Sequence, residues 1–251
     1  MDSTQKFNSL ANDYTAGRPD YADVFVESLY SKYGFSEQSV IADIGSGTGK
    51  FAKQLLQKGS FVYCVEPNDD MRNTAIEELS GYKGFRAING NADETKLKEE
   101  SVDFITTAQA FHWFDVDSFK RESRRILRND KMVFLIWNVR DMSGGINQDS
   151  FKIYSKFCPN FKGFNGGIKK DDIRIRRYFD DSYEYVEFDN PLYYNKDKFI
   201  SRSLSGSYTL RKEDKNYSEF LNELNELFEK YAQDQMVAMG NKTVAYIGRV
   251  D

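Results

Sequence analysis

The stretch VIADIGSGTGKF, Val40 to Phe51, decides how this chain is read. An apolar run ends at Asp43, glycines follow at 45, 47 and 49, and an amphipathic segment begins at once, so a strand turns sharply into a helix. Glycine at alternate positions permits positive φ and lets a ligand approach more closely than a Cβ would allow. The helix that follows points its free N–H groups and positive dipole end into the same space. A phosphate-cradling G-x-x-x-x-G-K-[ST] loop does not fit. Ile44 stands five residues before Gly49, and Phe51 replaces the hydroxyl that would bind Mg²⁺. A dinucleotide fingerprint needs a small residue three after Gly47, where Lys50 stands.

At 251 residues the chain suits one domain with an elaboration. Its 35 basic and 39 acidic residues leave a net charge of −4 without long single-sign blocks, which argues against nonspecific nucleic-acid or anionic-membrane binding. Lys169, Lys170, Arg174, Arg176 and Arg177 are interrupted and followed by aspartates, as a solvated face would be. The opening MDSTQKFNSL lacks the apolar centre of a signal peptide, and the longest apolar run, MVFLIW at 132–137, is too short to span a bilayer. With only two cysteines, these features predict a cytoplasmic, reducing setting. His112 is the single histidine, so no metal site is expected.

Outward from the turn, strands are predicted at 40–44, 61–66, 85–88, 102–107 and 132–137, with helices at 50–58, from Asn68 past Leu79, and at 116–127. Two helices precede the first strand, the second with Val24, Phe25, Leu29 and Tyr33 on its apolar side. After Asn138 regularity lapses. A strand at 183–188, a helix at 218–231 with Leu221, Leu224, Leu227 and Phe228 inward, and a last strand at 242–250 remain legible. The spacing predicts an α/β fold with a doubly wound, mostly parallel, seven-stranded sheet. Residues 1–251 form one domain in this reading. Its core is 1–140, insertions at 141–178 and 190–235 form a helical and loop cap, and 236–251 carry the final strand of the core sheet.

Ligands of open α/β sheets sit beyond the carboxyl ends of the strands. Strand one ends in Asp43 and strand two in Glu66, where a carboxylate can accept two ribose hydroxyls. Strand three runs into Gly90-Asn91-Ala92-Asp93, which could admit the edge of a base, although Asp93 also suits a plain turn. Strand four ends in QAFHWFD, placing Gln109, Ala110, His112 and Trp113 near a reacting centre or in the wall of a pocket.

The ordered series DIGSGTG, Glu66-Pro67, GNAD at 90–93 and QAFHWFD at 109–115 resembles class I S-adenosylmethionine-dependent methyltransferases. The closer likeness is to the small-molecule group that includes trans-aconitate methyltransferase-like proteins. Phe7, Ala11, Tyr14, Arg18-Pro19, Tyr21, Trp137-Asn138 and the segment Ser205 to Tyr208 extend that likeness. The resemblance implies S-adenosyl-L-methionine as cofactor. It implies that Gly45, Ser46, Gly47 and Gly49 face its methionine part above Asp43, with Tyr14 and Arg18 closing over that end. Glu66 would hold the ribose hydroxyls, Met71 or Asn68 would border the adenine, Ala92 and Asp93 would contact the base edge, and Pro67, Gln109 and Ala110 would complete the cofactor site. A small-molecule acceptor is expected, methylated on a carboxylate or hydroxyl oxygen, with Trp113, Trp137, Arg140, Arg202 and Tyr208 as candidate contacts. A carboxylate needs no base; for a hydroxyl, His112 is the one imidazole available, as base or as pocket wall. The alternatives are a cofactor-binding protein without transfer activity and a nicotinamide-dependent oxidoreductase.

Overall fold

Alternating apolar runs and amphipathic stretches resolve into two sheets in this computed structural model, which describes residues 19–164, 170–206 and 208–250. In chain order the elements are α1 (Asp23–Ser31), β1 (Val40–Ile44), α2 (Lys50–Gln57), β2 (Phe61–Val65), α3 (Asp69–Leu79), β3 (Phe85–Ile88) and β4 (Val102–Ala108). A 3₁₀ turn (Phe111–Trp113), α4 (Val116–Ile126), β5 (Leu127–Arg140), α5 (Gly145–Phe157), α6 (Ile173–Tyr178) and β6 (Tyr183–Asp189) follow. The remainder is β7 (Leu192–Asn195), α7 (Lys196–Leu204), α8 (Tyr217–Tyr231), β8 (Met236–Met239) and β9 (Asn241–Gly248). The seven-stranded sheet has the order β3-β2-β1-β4-β5-β9-β6, and β7 and β8 form a separate antiparallel pair.

β1 is flanked on both sides by parallel partners, with Asp43 opposite Cys64 of β2 and Thr106 of β4. From β1 the chain first winds outward through β2 to β3, then returns to the other side of β1 for β4 and β5. That reversal makes the carboxyl ends of β1 and β4 the switch point of the sheet, where a crevice opens. The doubly wound, mostly parallel α/β architecture is therefore as predicted.

The chain divides into two compact units. The first comprises the described residues of Met1–Trp137, Gly167–Phe188 and Thr243–Asp251; the second comprises those of Asn138–Gly166 and Asp189–Lys242. The core of the first is rich in rings: Phe35 stacks on Phe104 with centroids 3.9 Å apart, and Phe134 meets Phe35 edge-on at 5.2 Å. Burying each such ring is worth about 1.5–3 kcal/mol. The second unit has its own core, built from Tyr154 and Phe157 of α5, Phe199 of α7, Phe220 and Leu224 of α8, and Val237 of β8.

Several expectations are corrected. On α1, Val24 is 64% exposed while Val26 is buried, because the core-facing stripe runs through Phe25, Val26 and Leu29. On α8, Phe220 is buried with Leu224, Leu227 and Phe228 in place of Leu221. β5 begins five residues earlier than the apolar run suggests; its polar start lies where the register with β4 shifts between Val102 and Phe104. Residues 141–178, expected as loop and short helix, hold the thirteen-residue helix α5, longer than expected, and the six-residue α6. β7 and β8, four residues each, carry too few positions for alternation to register. Among the described residues, no helix is long and apolar enough to cross a membrane.

Candidate functional site

The glycine turn lies at the switch point, and its backbone is shaped for close approach. Gly45, Gly47 and Gly49 all have positive φ, at 68°, 57° and 77°. A Cβ on Gly45 would stand 2.6 Å from Cβ of Ala110 and 3.1 Å from the Phe114 ring, so strand four's loop packs directly on this backbone. A Cβ on Gly49 would collide with Leu79 of α3, which explains how α2 and α3 can both lie close beneath the turn. The turn is tied to the neighbouring strand: the Gly45 and Ser46 N–H groups both donate to the Val65 carbonyl, at 2.8 and 3.2 Å.

Glu66, the residue after β2, reaches back to this turn. Its Oε2 accepts from Gly47 N–H and its Oε1 from Asn68 N–H, both at 2.9 Å. It is 8% exposed. Burial raises its pKa, while these two N–H donors and the positive charge of Arg72 act in the opposite sense. Arg72 also donates to the carbonyls of Glu66 and Pro67, at 2.9 and 3.3 Å. The Glu66 carboxylate is thus held by both oxygens, and each oxygen retains acceptor capacity for a ligand hydroxyl. Asn68 caps α3 by accepting from Met71 N–H at 3.0 Å. Met71 is buried, and its sulfur lies 3.7 Å from where a Gly47 Cβ would be.

Asp43 is only 1% exposed, and its Oδ1 accepts from the Thr106 hydroxyl at 2.7 Å. Burial pushes its pKa up to about 7, the Thr106 bond opposes that, and the charge of Glu66 adds to it. Ser46 Oγ is buried with the Cys64 thiol beside it and no hydrogen bond of normal geometry. In the adjoining loop Gln109 has a positive φ of 59°, and its N–H donates to the Ile136 carbonyl at 2.8 Å. Ala92 is buried and Asp93 exposed; Asn91 Oδ1 accepts from the N–H groups of Asp93 and Glu94, which folds that loop on itself.

The structure therefore brings Asp43, Gly45, Gly47, Gly49, Glu66, Asn68, Met71 and Ala110 into one neighbourhood. His112 and Trp113 lie in the 3₁₀ turn just beyond; their rings are 4.9 Å apart, and Trp113 is 46% exposed. The His112 carbonyl accepts from Arg174 at 3.3 Å. Trp137 is buried, edge-on to Phe111 and Tyr246. Arg140, Arg202 and Tyr208 belong to the second unit. Tyr14 and Arg18 lie outside the described residues, as do Phe7, Ala11 and Ser207. Three residues that sequence reasoning passed over support the site: Thr106, Arg72 and Phe114. Strand register would have been needed to find Thr106, whereas Arg72, four residues after a visible cap, was within reach of helical spacing.

Comparison with known proteins agrees with this geometry. Residues 42–135 match the family described as methyltransferase domain. The chain is 32% identical over 140 residues to an uncharacterized methyltransferase of Mycobacterium tuberculosis, covering 56% of this chain and 55% of that protein. It is 28% identical over 159 residues to a methyltransferase-like protein of Schizosaccharomyces pombe, covering 62% and 61%. It thus spans little more than half the length of these curated relatives. Among solved structures, a candidate type II methyltransferase from Anaeromyxobacter dehalogenans superposes with a TM-score of 0.66 at 18% identity, covering 93% of this chain and 98% of that one. The fold is that of the class I S-adenosylmethionine-dependent methyltransferases, and S-adenosylmethionine is the cofactor of that class. The residues present fit it: a backbone cradle without side-chain bulk, a buried serine hydroxyl beside it, and an acceptor-only carboxylate at the neighbouring strand tip.

Proposed function

We propose that this protein transfers a methyl group from S-adenosylmethionine to an oxygen of a small molecule, in the manner of trans-aconitate methyltransferase-like proteins. The observation that carries the reading is Glu66, clamped by Gly47 and Asn68 N–H groups beside a turn whose glycines leave room for a ligand. When bound, the cofactor would supply a methyl group made electrophilic by its sulfonium, for displacement by the acceptor oxygen with the thioether as leaving group.

The chain's own residues bind, orient and exclude water. Glu66 would accept from the ribose hydroxyls with Pro67 next to it, Asn68, Met71, Ala92 and Asp93 would border the base, and Ser46 Oγ would gain the partner it lacks. Gln109 and Ala110, on the loop packed against Gly45, would complete the wall. Tyr14 and Arg18 would cover the methionine end. Orientation and water exclusion of this kind are worth up to roughly 7–11 kcal/mol in well-aligned systems. A carboxylate acceptor is ionised at neutral pH and needs no base, whereas a hydroxyl would give its proton to His112. The proposed acceptor contacts are Trp113 and Trp137 within the first unit and, within the second, Arg140, Arg202 and Tyr208. Two buried thiols, Cys64 and Cys158, support a reducing, cytoplasmic setting.

The decisive experiment is incubation with cofactor carrying a deuterated methyl and a pool of small acids and phenols, followed by mass spectrometry. Labelled ester or ether formed only with active protein is the expected outcome. Tight binding of S-adenosylhomocysteine with no labelled product would overturn transfer and leave a cofactor-binding protein.

A further inference from the structure

Within the first unit, the connection from β3 to β4 departs from the regular pattern. A crossover between parallel strands is usually a helix packed on the sheet, and residues 89–101 carry none. The segment is fastened to α4 instead. Thr95, fully buried, donates to Glu122 Oε1 twice, through its N–H at 2.8 Å and its hydroxyl at 2.5 Å. Arg125 grips both oxygens of the same carboxylate, Nε to Oε2 at 2.8 Å and Nη2 to Oε1 at 2.7 Å, and its Nη2 also donates to the Leu97 carbonyl at 2.8 Å. Further along, the N–H groups of Glu100 and Ser101 donate to the carbonyls of Arg125 and Ile126, both at 2.9 Å. All these partners lie between Glu122 and Ile126, at one end of one helix.

Glu122 is 7% exposed. Burial raises its pKa, but the hydrogen bonds from Arg125 and Thr95 outweigh that and hold it below the ordinary carboxylate value. Buried pairs of this kind add little net stability over apolar packing, so their use is to be sought in what they hold in place. This one holds the loop that carries Ala92 and Asp93. From Gly90 to Thr95 the chain is folded on itself: a Cβ on Gly90 would stand 2.7 Å from the Thr95 carbonyl oxygen, and Asn91 N–H donates to the Glu94 carbonyl at 3.1 Å. Asn91 Oδ1 accepts from the N–H groups of Asp93 and Glu94, at 2.9 and 2.7 Å. The loop is thus one compact piece, and Thr95 is where it is bolted to α4. Lys96 has a φ of 62°, a left-handed conformation unfavourable for lysine, and stands between Thr95 and Leu97, which are both held. Such strain persists only where the surroundings over-determine the backbone.

We propose that Glu122 and Arg125 are positioning residues for the cofactor: through Thr95 and Leu97 they hold the loop of Ala92 and Asp93 where Asp93 accepts from the amino group of the adenine. The proposal rests on the methyl-transfer reading and deepens it, but its test is binding alone. The probes are S-adenosylhomocysteine and S-inosylhomocysteine, which has a carbonyl where adenine has its amino group, each titrated calorimetrically into the full chain. The parent should bind the adenosyl compound at least ten-fold more tightly, because a carboxylate accepts from an amino group and repels a carbonyl. Glu122→Gln turns an amide donor toward the Arg125 donors and should reduce that preference to under three-fold. Thr95→Val removes one of the two bonds to Glu122 and should lower the preference by a smaller factor, whereas Thr95→Ser, which keeps the hydroxyl, should retain it. Should Glu122→Gln fail to fold, as shown by lost near-ultraviolet dichroism, the two Thr95 variants carry the test. A purely structural role would weaken both ligands alike, so an unchanged preference in the folded variants overturns the proposal, as does a parent that binds both compounds equally. A parent that binds neither compound would overturn the cofactor reading and this role with it. A preference lost in the variants, with no labelled product in the earlier assay, would sustain the positioning role and remove transfer.

Discussion

Glu66 and Asp43 are two buried acids at adjacent strand tips, and their surroundings give them different tasks. Glu66 has two backbone N–H donors and Arg72 to support its charge; Asp43 has one hydroxyl from Thr106 and a carboxylate as its neighbour. Glu66→Ala should lower the thermal shift produced by S-adenosylhomocysteine, measured from the variant's own unliganded Tm, because each lost bond to a charged acceptor is worth roughly 1.5–3 kcal/mol. An undiminished shift would remove Glu66 from the cofactor site. For Asp43 the folded pKa, about 7, lies above its ordinary 3.8. The neutral form suits the native state, so the stability it contributes is complete below about pH 4 and is lost as pH rises through 7. The loss amounts to about 4 kcal/mol if the whole shift is realised. Asp43→Asn should flatten the urea midpoint between pH 4 and 7; a variant with the parent's pH slope would contradict this assignment. Gly45→Ala places a Cβ 2.6 Å from another Cβ at a φ of 68°, and should cost about 2–4 kcal/mol in urea denaturation.

At the scale of elements, the turn works because three pieces of chain lock it. β2 accepts its first N–H groups through Val65, α3 fills the space beneath Gly49 through Leu79, and the loop after β4 covers Gly45 through Ala110. The Asn68 cap therefore has two effects, starting α3 and setting Met71 beside Gly47. Asn68→Ala should cost about 1 kcal/mol of stability through the lost cap, seen as a reduced urea midpoint, and should also weaken S-adenosylhomocysteine binding. Loss of stability with unaltered binding would confine Asn68 to the helix. Elements with strong local signals were legible: β1 and β3 have the predicted bounds, and the glycine turn was visible from spacing alone. β7 and β8 were not, since Leu192 pairs with Met239 across most of the second unit and neither four-residue strand declares itself locally.

For the whole molecule, S-adenosylhomocysteine at 100-fold its Kd should raise stability by about 2.7 kcal/mol, and NADH at the same concentration should leave Tm unchanged. A comparable response to NADH would favour an oxidoreductase. The sequence by itself determined the order of strands and helices in the first half, the class of fold, and the chemistry gathered at the strand tips. These rest on hydrophobic period and on glycine and capping residues, whose physics is local. Tertiary structure alone decided that Thr106 supports Asp43, that Glu66 grips the Gly47 N–H, and that Glu122 anchors the loop after β3 through Thr95. Each of these depends on strand register or on packing between segments distant in the chain, and a linear pattern carries no record of which distant residues will meet.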